Sequence, residues 1–449
     1  MLKRIFYFIS AFALLLTACA KDTEPLTSVL DSELDLALIN ASGGVGRTHF
    51  ILPQGNDFTS IPQDPDNPLS PVKVSLGQML YHDTGLGVGA KLAIGSGTFS
   101  CASCHFAGAG FQAGRLQGIG DGGIGFGQNG EGRIPQPDYP LDSLDVQPIR
   151  SPTTLNSAYQ EAMLWNGMFG ARGVNVGTEA SWTPGTPKET NNKGYEGLEI
   201  QAIAGLKVHR LEIEANQLCE ETYAELFDAA FPDFPQGERV TRETAGLAIA
   251  AYERTLMSTE APFQKWLKGA QTAMSDTEKR GAILFFKDAQ CATCHNGPAL
   301  NSMEFHALGM KDLFAAPEPT FQTTNADPVR LGRGGFTQNE ADNYKFKVPQ
   351  LYNLSDSPFY GHGSSFRSIR EVIEYKNNAV SENDEVPATQ LATGFVPLNL
   401  TDTQIDDLVA FLNTALHDPD LARYEPQMLG SNQCFPNNDA QSREDLGCD

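Results

Sequence analysis

The chain has 449 residues, enough for two globular domains, and 41% of them are hydrophobic. Its 55 acidic residues against 32 basic ones give a formal charge of −23 at pH 7. That balance argues against nucleic acid as a partner and suits either simple solubility or the steering of a basic partner.

Lys3 and Arg4 form a short basic region, followed at 5–16 by an apolar run too short to span a bilayer, which needs about 20 residues. The run ends in Leu16-Thr17-Ala18-Cys19, which resembles a bacterial lipoprotein box. The expectation is cleavage before Cys19 and lipid on Cys19. Ala20, rather than Asp, follows it, which favours the outer membrane. The folded part is then periplasmic and tethered to the membrane through a lipid anchor at Cys19. Residues 1–18 read as signal peptide. Residues 19–70 read as a polar tether with a Pro-rich end, Pro62-Gln-Asp-Pro-Asp-Asn-Pro68.

Chemistry enters at Cys101-Ala-Ser-Cys104-His105 and again at Cys291-Ala-Thr-Cys294-His295. Thiols at this spacing can add across the two vinyl groups of one haem, and the adjacent His can turn onto the iron as proximal ligand. A zinc site built from two Cys-x-x-Cys pairs needs neither His, and its halves lie much closer together. The cofactors expected are therefore two covalently bound haem c groups, on Cys101, Cys104 and His105 and on Cys291, Cys294 and His295.

Long Gly- and Pro-rich connections occupy 114–150 and 171–196, and the pattern between them is helical. The segment 240–256 is Ala-rich and free of Pro. Ser275-Asp-Thr-Glu278 and Thr401-Asp-Thr-Gln404 are capping boxes, the second followed by Ile405, Leu408, Phe411 and Leu412 at helical spacing. Phe366, Ile369, Val372 and Ile373 mark a further helix. The fold class expected is mostly α, with two tandem cytochrome c-like domains, each with one covalent haem c. The boundaries are 71–270, 271–430 and a polar tail at 431–449. Cys434 and Cys448 flank that tail and could close a loop in an oxidising compartment. With Cys219 present, three single pairings remain open.

The chain resembles the bacterial di-haem cytochrome c peroxidases and their MauG-like relatives, which oxidise amino-acid side chains. The resemblance rests on Leu76-Gly-Gln-Met-Leu80 with Asp83, Ser151-Pro-Thr-Thr-Leu-Asn156, Leu164-Trp165-Asn166-Gly167 and Ala250-Ala-Tyr-Glu-Arg-Thr-Leu256. It continues through Phe346-Lys-Val-Pro349, Leu351-Tyr-Asn353 and Gly361-His362-Gly363. It implies reduction of hydrogen peroxide with electrons from a small redox donor such as cytochrome c. The His105 haem would be peroxide-reactive and the His295 haem electron-storing. It also implies Glu212 as general acid/base with Gln201 upstream of it, and Trp165 between the haems. His209 is a second residue that could line that pocket. Where many members place a removable distal His, this chain has Asp121, so an open site is expected without prior reduction. The second haem's distal slot falls at Lys376 with Tyr375 beside it; Tyr375 is preferred because a phenolate has precedent, and Met303 and Met310 are runners-up. Arg330 and Arg333 are candidates to pair with haem propionates. The family's interdomain calcium takes an Asn where this chain has Arg150, which argues against calcium at that spot and leaves only backbone carbonyls near Pro358. Two other functions compete: side-chain oxidation by a MauG-like high-valent haem pair, and non-enzymatic electron carriage.

Overall fold

The computed structural model describes residues 26–214 and 216–448. The signal segment 1–18 and Cys19 lie outside the described residues. The chain is mostly helical. The helices are α1 (Leu26–Ala41), α2 (Arg47–Phe50), α3 (Pro71–His82), α4 (Gly197–Val208), α5 (Ala224–Ala230) and α6 (Arg242–Arg254). They continue as α7 (Pro262–Leu267), α8 (Asp276–Phe286), α9 (Arg333–Thr337), α10 (Ile369–Asn378), α11 (Asp402–Ala410) and α12 (Ala440–Leu446). Among the described residues strand is confined to two short antiparallel pairs, β1 (Gly123–Ile124) with β2 (Ile134–Pro135) and β3 (Phe305–His306) with β4 (Phe346–Lys347).

Local chemistry starts these helices where the sequence places them. Ser275 Oγ accepts from Glu278 N at 3.3 Å while Glu278 Oε2 accepts from Ser275 N at 2.6 Å, which opens α8. Thr401 and Gln404 exchange the same pair of bonds at the start of α11. Packing then gathers the helices into two groups. In one, α3 crosses α6 so closely that a Cβ on Gly77 would lie 1.8 Å from the carbonyl oxygen of Ala248. In the other, a Cβ on Gly281 of α8 would lie 1.9 Å from the carbonyl oxygen of Asp407 in α11. Only glycine permits either approach. The two groups share one continuous buried core, from Leu34 to Leu421.

That continuity corrects the tether expected at 19–70. Residues 26–41 form α1, which lays Leu30, Leu34 and Leu38 against α8 and so presents an apolar stripe at four-residue spacing. Asp31 fixes it there, accepting from Trp266 Nε1 at 2.7 Å and pairing with the buried Lys279 Nζ at 2.7 Å. Phe50 and Leu52 are also buried. A composition-based reading misses this stripe because Val29, Leu36 and Ile39 on the outer face are apolar and exposed too, so no polar face sets it off. The boundary at 270 needs a similar correction, because α1 and α7 complete the group that contains α8. The tail is corrected too: residues 431–448 fold back onto the first group and are closed by a Cys434–Cys448 disulfide with a Cα–Cα distance of 6.0 Å. Cys219 is a buried free thiol.

Candidate active site

Both Cys-x-x-Cys-His runs sit on single 3₁₀ turns, Cys101–Ser103 and Cys291–Thr293. The first turn is braced from the tail: Ser100 Oγ and Ser103 Oγ donate to the carbonyl of Pro436 at 3.0 and 3.2 Å. The two histidines are held alike. His105 Nδ1 donates to the carbonyl of Phe111 at 3.3 Å, and His295 Nδ1 to that of Leu300 at 2.9 Å. A carbonyl can only accept, so each ring carries its proton on Nδ1 and keeps the Nε2 lone pair for a metal. Burial pushes both imidazoles down to about 4, so both are neutral, as an axial ligand must be. The donor set therefore fits a haem at each motif.

A cavity of about 410 Å³ opens beside the second motif. Cys291, Cys294 and His295 line one side of it, with Met310 and Lys376 among the other lining residues. Tyr375 is not there, which corrects its preference as ligand. Its ring packs on Phe366 and Phe395, at centroid distances of 5.0 and 5.3 Å, and its hydroxyl donates to the carbonyl of Leu308 at 2.5 Å. Successive residues on a helix point about 100° apart, so α10 can turn only one of the pair inward. Burial lowers the Lys376 amine to about 8, opposed by the nearby Cys291 and Cys294 thiols. Arg333 is also corrected. Its guanidinium donates to the carbonyls of Asn166, Gly167 and Val174 and to Asn175 Oδ1. Arg330 lines the cavity and pairs with Glu385 at 2.5 Å. His306 Nε2 lies 3.6 Å from Cys294 Sγ.

Trp165 lines the same cavity, as do Gln112 and Arg150. Its indole Nε1 donates to the carbonyl of Arg150 at 2.9 Å, and its own carbonyl accepts from Lys347 N at 2.8 Å. The Arg150 guanidinium is buried and donates to Gln112 Oε1 at 2.8 Å, Arg115 O at 3.2 Å, Ala113 O at 3.4 Å and Ser357 Oγ at 2.7 Å. A fixed organic cation thus bridges two carbonyls of the 112–115 loop to Ser357. Lys347 escaped the sequence reading, although it lies inside the Phe346-Lys-Val-Pro349 run. It is buried in the cavity wall, donates to Gln160 Oε1, and is pushed down to about 7 by burial.

Polar residues gather around the first motif at the end of α4. Gln201 and His209 flank Gly205 on one face of that helix, and Gln201 Oε1 is buried without a hydrogen-bond partner. His209 Nδ1 donates to Asp145 at 2.9 and 3.1 Å, and its charge is felt at His105. The next residue, Arg210, takes a left-handed φ of 59° and donates to Asp121 Oδ2 at 2.5 Å. The same Asp121 oxygen accepts from Tyr139 Oη at 2.7 Å and Lys91 N at 2.9 Å. Glu212 follows, anchored through its N–H to the carbonyl of Leu86 at 2.9 Å. Its side chain is 44% exposed, and Oε2 lies 3.9 Å from Arg242 Nη2.

Comparison with known proteins gives the family. The family model for di-haem cytochrome c peroxidase matches residues 71–272. The methylamine utilization protein MauG of Methylorubrum extorquens is 31% identical over 80% of this chain and 82% of its own length. The cytochrome c peroxidase Ccp of Escherichia coli is 29% identical over 79% of this chain, and the match spans only 62% of that longer protein. Among solved structures, a MauG-like protein associated with microbial copper homeostasis shares the fold, with a TM-score of 0.57 at 24% identity over 82% of this chain and 95% of that one. The chain belongs to the di-haem cytochrome c peroxidase and MauG family, and haem is its cofactor.

Proposed function

We propose that this protein reduces hydrogen peroxide to water with electrons from a small redox donor such as a cytochrome c. The observation that carries this reading is the engagement of Asp121 by Arg210, Tyr139 and the Lys91 amide. All three donors meet Oδ2 and tie Asp121 to the end of α4, to Tyr139 and to the Lys91 amide, so the residue in the slot where relatives place a removable ligand serves the scaffold. Cys101, Cys104 and His105 would hold one haem and Cys291, Cys294 and His295 the other; bound there, they would supply the redox chemistry and the stored electron that peroxide reduction needs. Both are held covalently, in two haem-bearing units.

The residues do the rest. Glu212 takes the proton from the inner peroxide oxygen and returns one to the outer oxygen, with Gln201 orienting the substrate. Trp165, between the cavity and Arg150, carries charge between the two centres. Lys376 takes the distal slot of the second haem in place of Tyr375. Arg150 stands where calcium would take its side-chain ligand, so no calcium is assigned. Among the described residues no helix is long and apolar enough to cross a membrane, and attachment to the outer membrane is assigned to lipid on Cys19.

Rapid mixing of the fully oxidised protein with peroxide tests the proposal. Steady oxidation of reduced cytochrome c is expected, starting from a resting state with one high-spin and one low-spin haem. One observation favours a second reading: an amine at Lys376, unlike a thioether, lowers the second haem's potential and stabilises its higher oxidation states. A long-lived near-infrared band without donor turnover would move the assignment to a MauG-like side-chain oxidase.

A further inference from the structure

Peroxide reduction has a proton balance that one shuttle cannot meet. The reaction is H2O2 + 2 e⁻ + 2 H⁺ → 2 H2O: the O–O bond breaks, two electrons enter from the donor, and two protons enter from solvent. A carboxylate that moves a proton from one peroxide oxygen to the other supplies neither of those two. Protons must therefore arrive by a group that faces water on one side and the reaction site on the other.

We propose that His209, oriented by Asp145, is the proton inlet of the His105 site. His209 ends α4 as its C-cap residue, on the helix face that carries Gln201 and Gly205. Its side chain is 40% exposed, while Asp145 is 6% exposed. The ring is thus only partly covered and is fixed on one side by a buried carboxylate. Asp145 is itself fixed: its main-chain N–H donates to Asp121 O and its carbonyl accepts from Gly120 N, each at 2.9 Å. The inner end of the route is close, because a Cβ on Gly120 would lie 2.5 Å from Asp145 Oδ2 and one on Gly118, two residues earlier, would lie 2.7 Å from Cys104 Sγ. The charged groups facing His209 are Asp145, which favours the imidazolium, and Arg210, which opposes it. Desolvation also opposes the charge, yet the ring is held above its ordinary value. An imidazolium that is reloaded from solvent near neutral pH is what repeated delivery requires. Arg210 is not free for this role, since its guanidinium is bound to Asp121 and to the carbonyl of Ser143.

The inference rests on the peroxidase reading, and its test separates the two. The holoprotein with both haems attached is used as wild type, His209→Gln and Asp145→Asn, with ferrocyanide as electron donor. Two measurements are made across pH: turnover, and the rate at which diethyl pyrocarbonate modifies His209, read by peptide mass spectrometry. That reagent attacks only the neutral ring, so it titrates His209 without reference to activity. In the wild type, turnover should fall as pH rises through the titration of His209. His209→Gln should react with the first equivalent of peroxide at the wild-type rate but turn over roughly 10²-fold more slowly, with the limb gone. Asp145→Asn removes the charge that favours the imidazolium, so its turnover limb and its His209 modification profile should move together to lower pH. His209→Gln turning over at the wild-type rate across pH would overturn the proposal. So would an Asp145→Asn limb that stays in place while the modification profile moves. A wild-type protein that consumes no peroxide with any donor would remove the peroxidase reading, and the inlet with it.

Discussion

Arg210 Nη1 meets Asp121 Oδ2 at 2.5 Å, joining the end of α4 to the glycine-rich loop that follows the first Cys-x-x-Cys-His run. Asp121 is 0% exposed and Arg210 is 19% exposed at the side chain, so the pair is a buried link. It ties that loop to the end of α4. His209–Asp145, one residue away, ties the same loop to α4 a second time. The segments 119–145 and 201–212 are thereby held together at two points.

Arg210→Met should therefore destabilise the holoprotein by about 3 kcal/mol, because it leaves the Asp121 carboxylate buried without its cation. Urea denaturation followed at the haem absorbance measures this. The double variant Arg210→Met, Asp121→Asn should recover part of the loss, since the uncompensated charge is then gone. A single variant as stable as wild type would mean that Tyr139 and the Lys91 amide suffice to hold the carboxylate.

Lys376 and Tyr375 are separated by one position and by most of a helix face. Lys376→Met should raise the midpoint potential of the low-spin haem, because a thioether ligand favours ferrous iron more than an amine does. Tyr375→Phe should leave that potential and the low-spin spectrum unchanged, and should cost about 1 kcal/mol of stability through the lost bond to Leu308. Spectroelectrochemical titration of both variants decides between them. A potential that follows Tyr375 instead would reinstate the phenolate.

The haem runs and the helix starts were legible because each is local: the Cys-x-x-Cys-His spacing and the two capping boxes are complete within five residues. What failed was long-range. The apolar stripe of α1 has meaning only against α8, and the tail only against Ser100 and Ser103. A slot counted along the sequence reached position 376, but which of two neighbouring side chains faces inward depends on the rotation of α10. That rotation is set by Phe366 and Phe395, which claim Tyr375. His209 was visible as a residue and not as a pair, since Asp145 lies in a loop whose path the sequence does not disclose.

Arg150 makes a prediction about metal dependence. Its guanidinium already bonds the carbonyls of Ala113 and Arg115 and reaches Ser357 Oγ. A divalent cation would have to displace a buried positive charge to bind these atoms. Dialysis against a chelator should leave turnover and the resting spin states unchanged, and added calcium should change neither. Loss of activity on chelation, restored by calcium, would place a metal elsewhere between the two helical groups.

Glu212 carries the most mechanistic expectation. Peroxide arrives as a neutral molecule, and its inner oxygen must lose a proton as it meets the iron. The outer oxygen must gain one before it can leave as water. A carboxylate can do both, whereas an amide of the same shape can do neither. Glu212 is anchored through its backbone to Leu86, so Glu212→Gln keeps its position without relying on the side chain. Haem loading and resting spectra should be unchanged. General acid–base help is typically worth about 10²–10⁴-fold, so the reaction with the first equivalent of peroxide should slow by roughly that factor. This is the step that His209→Gln leaves intact, and the two variants should therefore fail at different points of the cycle when followed by rapid mixing. Glu212→Gln reacting with peroxide at the wild-type rate would show that another group moves the proton between the oxygens.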